Sequence, residues 1–361
     1  MIRPARARRR GRRALALAVP FVLPAAFLLA WFYLPLVSLL EDGLGRGGVR
    51  PAIAWLFDPY FWRLLRFTTL QALWSSAASL LIGFPLAYLL ATYTFPLRRL
   101  VRALTLVPFV LPAVVVALGF ILFFGRQGPL ARFLALFGQE VSLLYSLPAI
   151  VLAHAFYNAP LVTRSVHAAW ERLDPALEET ARALGAGPWA VFRDVTWPAI
   201  FPGVITGALF SFLFSFMSFP IVLSLGGARY TTLEVEIYTQ VRVLFDQSAG
   251  TALAFWETVL ALAFSSAYLA LDRRWAVPAR ARALRRLRPW RLTWSNAWVL
   301  PYGLALATFY VGPLASIAYD SLASQSSAGL GWSFSAYSRI LRPAHDALLG
   351  DSPLTAIRNS L

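Results

Sequence analysis

The sequence predicts an all-α fold: a polytopic membrane protein with one six-helix transmembrane unit and the beginning of a second. Three observations carry this expectation. Of 361 residues, 58% are hydrophobic and only 14% are charged, against about 45–50% and about 25% in an ordinary soluble domain. The apolar residues gather into long charge-free runs, and a hydrocarbon layer about 30 Å thick needs about 20 apolar residues per helix. The net charge of +16 is carried by arginines, with no lysine in the chain, and they stand beside the apolar runs as the positive-inside rule requires. Such a charge could otherwise suggest nucleic acid; its placement argues for a lipid bilayer as the partner and against nucleic acid.

Residues 1–13 hold seven arginines and form a basic tail. Residues 14–40 follow without a charge and without an evident small-residue cleavage site, so they read as an uncleaved first span and not as a signal peptide. Further spans are expected within 67–97, 103–125, 141–163 and 200–228 and near 251–271 and 295–319. The basic segments are the tail, Arg98 with Arg99 and Arg102, and eight arginines between 273 and 291. They alternate consistently onto one side, which is therefore cytoplasmic, with the N-terminus inside. Segments 41–66, 126–140 and 229–246 mix both signs and face outward.

A faint repeat divides the chain. Val22-Leu23-Pro24 matches Val299-Leu300-Pro301, and Phe32-Tyr33-Leu34-Pro35-Leu36-Val37-Ser38 matches the stretch from Phe309 to Ser316. Thr68-Thr69-Leu70, which opens the second span, corresponds to Asn359-Ser360-Leu361. Parallel repeats are a common transporter device. The expected division is a tail (1–13), a first six-helix unit (14–271), a basic linker (272–294) and the start of a second unit (295–361). That second unit stops where its next helix should open, so the sequence reads as a truncated piece of a protein of twelve or so helices.

The cytoplasmic segment 171–198 is the most informative. Asp174 suits a helix N-cap and Pro175 the first helical position. Glu178 and Glu179 fall in the first turns, where acids favour the positive helix end. Gly185 and Gly187 stop that helix and Pro188 begins another. The spacing predicts a short helix, a glycine turn and a second short helix. An amphipathic connector lying on the membrane surface would need no more than this.

The same residues carry a resemblance. Glu179, Ala181 and Gly185, followed after nine residues by Val195, Trp197 and Pro198, resemble the signature of permeases in binding-protein-dependent ABC importers: Glu-Ala-Ala, three residues, Gly, nine residues, Ile-x-Leu-Pro. Here Thr180 replaces the first alanine, Val195 the isoleucine and Trp197 the leucine. The resemblance implies an inner-membrane permease subunit whose loop docks into a cytoplasmic ABC ATPase dimer. It also implies a solute delivered by an extracytoplasmic binding protein. Glu179, Ala181, Gly185, Val195 and Pro198 would then carry the coupling to the ATPase.

A second resemblance covers roughly 125–259. Gly125-Arg126-Gln127-Gly128 and Leu152-Ala153-His154-Ala155-Phe156-Tyr157-Asn158-Ala159-Pro160 are similar to the thiamine permease of the fused double-permease group. Thr231-Thr232-Leu233-Glu234-Val235-Glu236-Ile237-Tyr238 is similar also to ferric-iron permeases. The resemblance leans to thiamine or its phosphates, with ferric iron as the alternative. Binding-protein contact would fall on the outward segment holding Glu234 and Glu236, unless these carboxylates simply form a solvated loop face.

Ionisable groups inside a span are functional candidates. His154 and Asn158 share a face of the fourth span, and Glu257 is the acid well inside the sixth. They could line a pathway; hydrogen bonding between helices, common in membrane bundles, is the plainer reading. No cysteine is present and the three histidines are scattered, so neither a metal site nor a cofactor is expected. Without lysine there is no phosphate-binding loop of the Gly-Lys-Ser/Thr kind, so ATP hydrolysis would belong to a separate subunit and the chain would not be an enzyme. A secondary transporter would call for more intramembrane charge, an intramembrane enzyme for a paired nucleophile and base, and a plain membrane anchor for no loop motif.

Overall fold

The structure, a computed structural model, describes residues 21–35, 37–38, 41, 50–139, 143–227, 229–275, 287–326, 329–341 and 353–360. The arginines of the basic tail, Glu140 and linker residues 276–286 lie outside the described residues. Without water, a chain in hydrocarbon must satisfy its own backbone groups, and the described residues are accordingly helical almost throughout. α1 (Phe21–Tyr33) is a 13-residue apolar helix. α2 (Arg50–Leu56) and α3 (Pro59–Thr92) follow, then β1 (Tyr93–Thr94), α4 (Arg98–Leu104), α5 (Val107–Val110), α6 (Ala113–Phe124) and α7 (Pro129–Ala135). Next come α8 (Leu147–Glu171), α9 (Pro175–Ala183), α10 (Pro188–Phe216), α11 (Pro220–Gly226), α12 (Leu233–Tyr238) and α13 (Gln247–Trp275). β2 (Arg288–Pro289) leads to α14 (Val299–Leu322), a short antiparallel hairpin, α15 (Ser335–Leu341) and α16 (Pro353–Ser360).

Among the described residues, five stretches are long and apolar enough to cross a membrane: Pro59–Thr92, Ala113–Ala135, Pro188–Phe216, Gln247–Leu271 and Val299–Leu322. α8, at 25 residues, is long enough but less apolar. The all-α, multi-pass expectation therefore stands, and three of the expected spans are built differently. α3 starts at Pro59 because the Asp58 carboxylate accepts the Tyr60 N–H at 2.7 Å. The third span breaks at Leu111–Pro112, where both residues turn extended; the Tyr157 hydroxyl donates to the Leu111 carbonyl at 2.7 Å and satisfies the break. The fifth span ends at Phe216 and resumes only at Pro220.

The chain forms two compact units. The smaller takes residues 1–66 and 232–263. Within it the Trp256 indole donates to the Ala52 carbonyl at 2.8 Å and its ring lies against Phe61.

The larger unit takes residues 67–231 and 264–361 and is built around α8. Small residues let α8 come very close to its neighbours. A Cβ on Gly207 of α10 would lie 2.9 Å from the Val162 Cα, and one on Gly83 of α3 would lie 2.6 Å from the Ala159 carbonyl oxygen. α14 meets α6 in the same way, Gly119 facing the Pro313 carbonyl and Gly312 facing the Phe123 ring. Polar side chains then cross between helices: Gln71 donates to the Ser215 carbonyl at 2.7 Å and Ser76 to the Ala208 carbonyl at 2.7 Å. Gly207→Val should therefore force α8 and α10 apart, costing about 1–3 kcal/mol, read as a fall of several degrees in the unfolding midpoint of the detergent-solubilised chain.

Candidate functional site

The connection between α8 and α10 is anchored before it begins, since Trp170 and Leu173 are buried in a cluster with Ala87, Ala91, Val162, Val166, Ile200 and Val204. Asp174 caps α9, its carboxylate accepting the Ala176 N–H at 3.0 Å, and Pro175 opens the helix. At the other end the Ala186 N–H reaches the Ala181 carbonyl and the Gly185 N–H the Arg182 carbonyl, both at 3.0 Å. That pair of bonds is the Schellman closure, and it places Gly185 at φ +88°, a conformation in which a Cβ is strained.

Beyond Gly187 the predicted second short helix does not stop. It joins the fifth span in one helix, Pro188–Phe216. Pro198 lacks the N–H needed to continue an α-helical ladder. The structure absorbs it by a π turn over Phe192–Thr196, with the Trp197 N–H reaching back five residues to the Phe192 carbonyl. α1 shows the same device over Leu29–Tyr33, just before Pro35.

The residues expected to matter here fall on two faces. Glu179, Gly185 and Pro198 are exposed, while Ala181 and Val195 are half-buried, Val195 packing on the Trp170 cluster. Glu178, which the motif does not single out, is buried. Its carboxylate accepts the Thr196 hydroxyl at 2.8 Å and lies 3.7 Å from the Arg182 guanidinium. Thr196 thus clamps α9 to the π turn of α10. The sequence signal for this was the Glu178–Arg182 spacing of four. The loop also carries exposed apolar side chains: Leu184 is 83% exposed, Trp189 69% and Leu177 55%.

A cavity of about 1040 Å³ opens beside this loop, lined among others by Arg102, Arg164, His167, Glu171, Arg172 and Asp174. His154 and Asn158 do not line it. The His154 Nδ1 lies 3.1 Å from the Ser75 hydroxyl, and the Asn158 amide donates to the Ser215 hydroxyl at 2.9 Å and the Ser211 carbonyl at 3.3 Å. Both sit in helix–helix contacts within the larger unit.

In the smaller unit, Glu236 is buried and is not part of a solvated loop face. It accepts the Tyr60 hydroxyl at 2.6 Å and the Gln240 amide at 2.7 Å. Glu234 lies beside Glu257 of α13, and burial holds the Glu234 carboxyl above the usual carboxylate range. Among the described residues no group of three or more potential ligands could hold a metal ion.

Comparison with known proteins adds an independent line. The family described as "Binding-protein-dependent transport system inner membrane component" matches residues 79–277. The thiamine transport system permease protein ThiP of Brucella suis biovar 1 (strain 1330) is 38% identical over 259 residues, covering 69% of this chain and 47% of that protein. ThiP of Escherichia coli (strain K12) is 33% identical, covering 70% and 45%. The chain thus spans about half the length of the thiamine permeases that it matches. The molybdenum transport system permease protein ModB of Mycobacterium bovis (strain ATCC BAA-935 / AF2122/97) is 33% identical over 251 residues, covering 66% of this chain and 92% of that protein. Among solved structures, a bacterial ABC transporter involved in the import of the acidic polysaccharide alginate superposes with a TM-score of 0.57 at 21% identity, over 74% of this chain and 99% of that one; this likeness concerns the fold alone.

Thr196→Val should leave the buried Glu178 carboxylate without its hydroxyl donor, a loss of about 1–3 kcal/mol. The expected readout is faster amide hydrogen exchange confined to 175–198, with Thr196→Ser near wild type.

Proposed function

Because the chain belongs to the family of binding-protein-dependent transport system inner membrane components, we propose that it is the permease subunit of an ATP-binding-cassette importer driven through the loop between α8 and α10. It is a multi-pass membrane transport component and not a catalyst. The observation that carries the coupling role is the outer face of that loop. Leu177, Leu184 and Trp189 present apolar side chains to solvent on a segment whose inner face is fixed by Glu178, Thr196 and the Trp170 cluster. Exposed apolar groups on a rigid base suit a partner cleft better than they suit water. The partners proposed are a cytoplasmic ABC ATPase dimer and an extracytoplasmic solute-binding protein. In this reading the N-terminus lies in the cytoplasm, and residues 295–361 begin a second permease unit.

Thiamine, or its phosphates, is the proposed solute, supported by the identity to thiamine permeases from several bacteria. A molybdenum-containing solute is the second reading, since nearly the whole of a molybdenum permease aligns with this chain. The ferric-iron alternative rests on the similarity of Thr231–Tyr238 alone. Reconstitution of the chain with its ATPase and binding protein in liposomes, with labelled thiamine and labelled molybdate supplied separately, decides between them. Thiamine uptake that unlabelled molybdate leaves unchanged is the expected result.

Coupling has its own test. Leu184→Asp should reduce co-purification of the ATPase about tenfold, whereas Leu136→Asp, also exposed but on an outward segment, should leave it unchanged. Gly185→Ala should give a partial loss, because an L side chain at its φ costs about 1 kcal/mol. Wild-type assembly in both loop variants would remove the coupling role.

A further inference from the structure

The cavity of about 1040 Å³ beside the loop between α8 and α10 is formed wholly by residues of the larger unit. α8 turns a polar face toward it. Arg164, His167, Ala168, Glu171 and Arg172 all line the cavity, at the spacings of three, four, seven and eight that share one side of a helix. Arg102 of α4 lines it as well.

Depth sets Arg164 apart from the other two arginines. Arg102 belongs to the basic connection after α3, and Arg172 follows the last residue of α8. Both stand where the positive-inside rule expects arginine. Arg164 lies further in, well before the end of α8 at Glu171. Its neighbour Thr163 donates to the Gly83 carbonyl at 3.1 Å. Gly83 is about 14 Å from the end of α3 at Thr92, at the helical rise per residue. On the other side, a Cβ on Gly203 of α10 would lie 2.7 Å from the Ser165 carbonyl oxygen. No charged residue occurs in 67–97 around Gly83 or in 195–228 around Gly203. Arg164 is therefore level with charge-free stretches of both flanking helices. A charge at such depth is costly and marks a pathway or a binding site when it faces a cavity.

The cavity is also unbalanced in charge. Its two acids have other partners: the Glu171 Oε1 lies 3.7 Å from the His167 Nε2, and the Asp174 carboxylate caps α9. Arg102, Arg164 and Arg172 are exposed and make no salt bridge among the described residues. Three permanent cations outweigh two carboxylates, so the cavity repels a cationic solute and attracts an anionic one. Guanidinium forks match phosphate oxygens in pairs. The volume is at the upper end of the range of about 300–1,000 Å³ common for sites of small organic molecules, and exceeds what a bare oxyanion fills.

We infer that Arg164, with Arg102 and Arg172, binds the phosphate of a phosphorylated solute in this cavity. The inference rests on the permease reading and names the residue that the phosphate meets at membrane depth. Thiamine carries a positive charge, and its phosphate esters bring the group that the arginines recognise. Molybdate, the solute of the second reading, offers the same tetrahedral oxyanion chemistry.

Uptake into liposomes by the chain with its ATPase and binding protein tests this, with labelled thiamine, thiamine monophosphate and molybdate supplied separately. Arg164→Gln should lower monophosphate uptake about tenfold relative to thiamine uptake. Arg164→Lys should recover part of it, since it keeps the charge but not the fork. Arg132→Gln, an exposed arginine of an outward segment, should change neither. The unfolding midpoint of Arg164→Gln should match wild type, which separates a lost contact from a lost fold. Independently of transport, inorganic diphosphate at matched ionic strength should raise the midpoint of the purified chain by about 2 °C, and Arg164→Gln should abolish the rise. An unchanged uptake ratio in Arg164→Gln overturns the assignment. So does a wild-type transporter that takes up thiamine and refuses its monophosphate, although the thiamine reading would survive. Uptake of molybdate alone, reduced by Arg164→Gln, would overturn the thiamine reading and keep the oxyanion site. A midpoint raised by phosphatidylglycerol and not by diphosphate would assign the arginines to lipid headgroups and overturn the site.

Discussion

Buried polar side chains and the carbonyls at helix breaks must find partners inside the protein, and the larger unit is organised by that demand. Membrane helices gain little from burying apolar surface against one another, because lipid is equally apolar. What distinguishes one packing from another is close approach and hydrogen bonding. Here both occur at the same contacts. Gly83 and Gly207 bring α3 and α10 onto α8, and Thr163 and Asn158 of α8 then donate to the Gly83 and Ser211 carbonyls. Tyr157 closes the break before α6 in the same manner. A register shift at any of these contacts would strand several polar groups at once, which is why the arrangement is specific although its surfaces are not.

In the proposed coupling role, this rigidity would give a partner at the loop between α8 and α10 something to act on. α9 is attached to α10 by the Thr196–Glu178 bond and to α8 through the buried Trp170 and Leu173. A partner that moves the exposed face of α9 therefore moves two helices locked together by glycine contacts. Force applied at an isolated flexible loop would be lost in local bending. Thr196 is placed on the π turn at Phe192–Thr196, so the clamp and that irregularity of α10 coincide.

Much of this was legible in the sequence because it follows from short-range rules. Charge-free runs located the spans, and Asp174, Pro175 and Gly185 fixed both ends of α9 within a residue. The rest depended on groups distant in sequence. The break at Leu111–Pro112 is tolerable only because Tyr157, 46 residues later, supplies a donor. Glu236 looked like a surface acid because its partner Tyr60 lies 176 residues away. His154 and Asn158 were rightly placed on one face of a helix, but spacing cannot tell a face that meets another helix from one that meets a cavity. The fusion of Pro188 with the fifth span was missed because proline ordinarily ends a helix, and a π turn that accommodates it leaves no compositional mark.

Adjacent glutamates make the same point about what a motif encodes. Glu178 and Glu179 are chemically identical and occupy the same turn, yet one is buried on Thr196 and the other faces solvent. An α-helix turns by about 100° per residue, so the two must point apart. If α9 binds a partner, a side chain that does so cannot also anchor the loop. The recognisable signature residue Glu179 is then the one free to meet another subunit, and Glu178 is the one that makes the encounter mechanically useful. Burial decides between these roles. Glu178 lies four residues from Arg182 on the face toward α10, where a hydroxyl at position 196 can reach it. Exchanging the two environments would require rotating α9 about its axis, and the Schellman closure at Gly185 together with the Asp174 cap fixes that rotation at both ends.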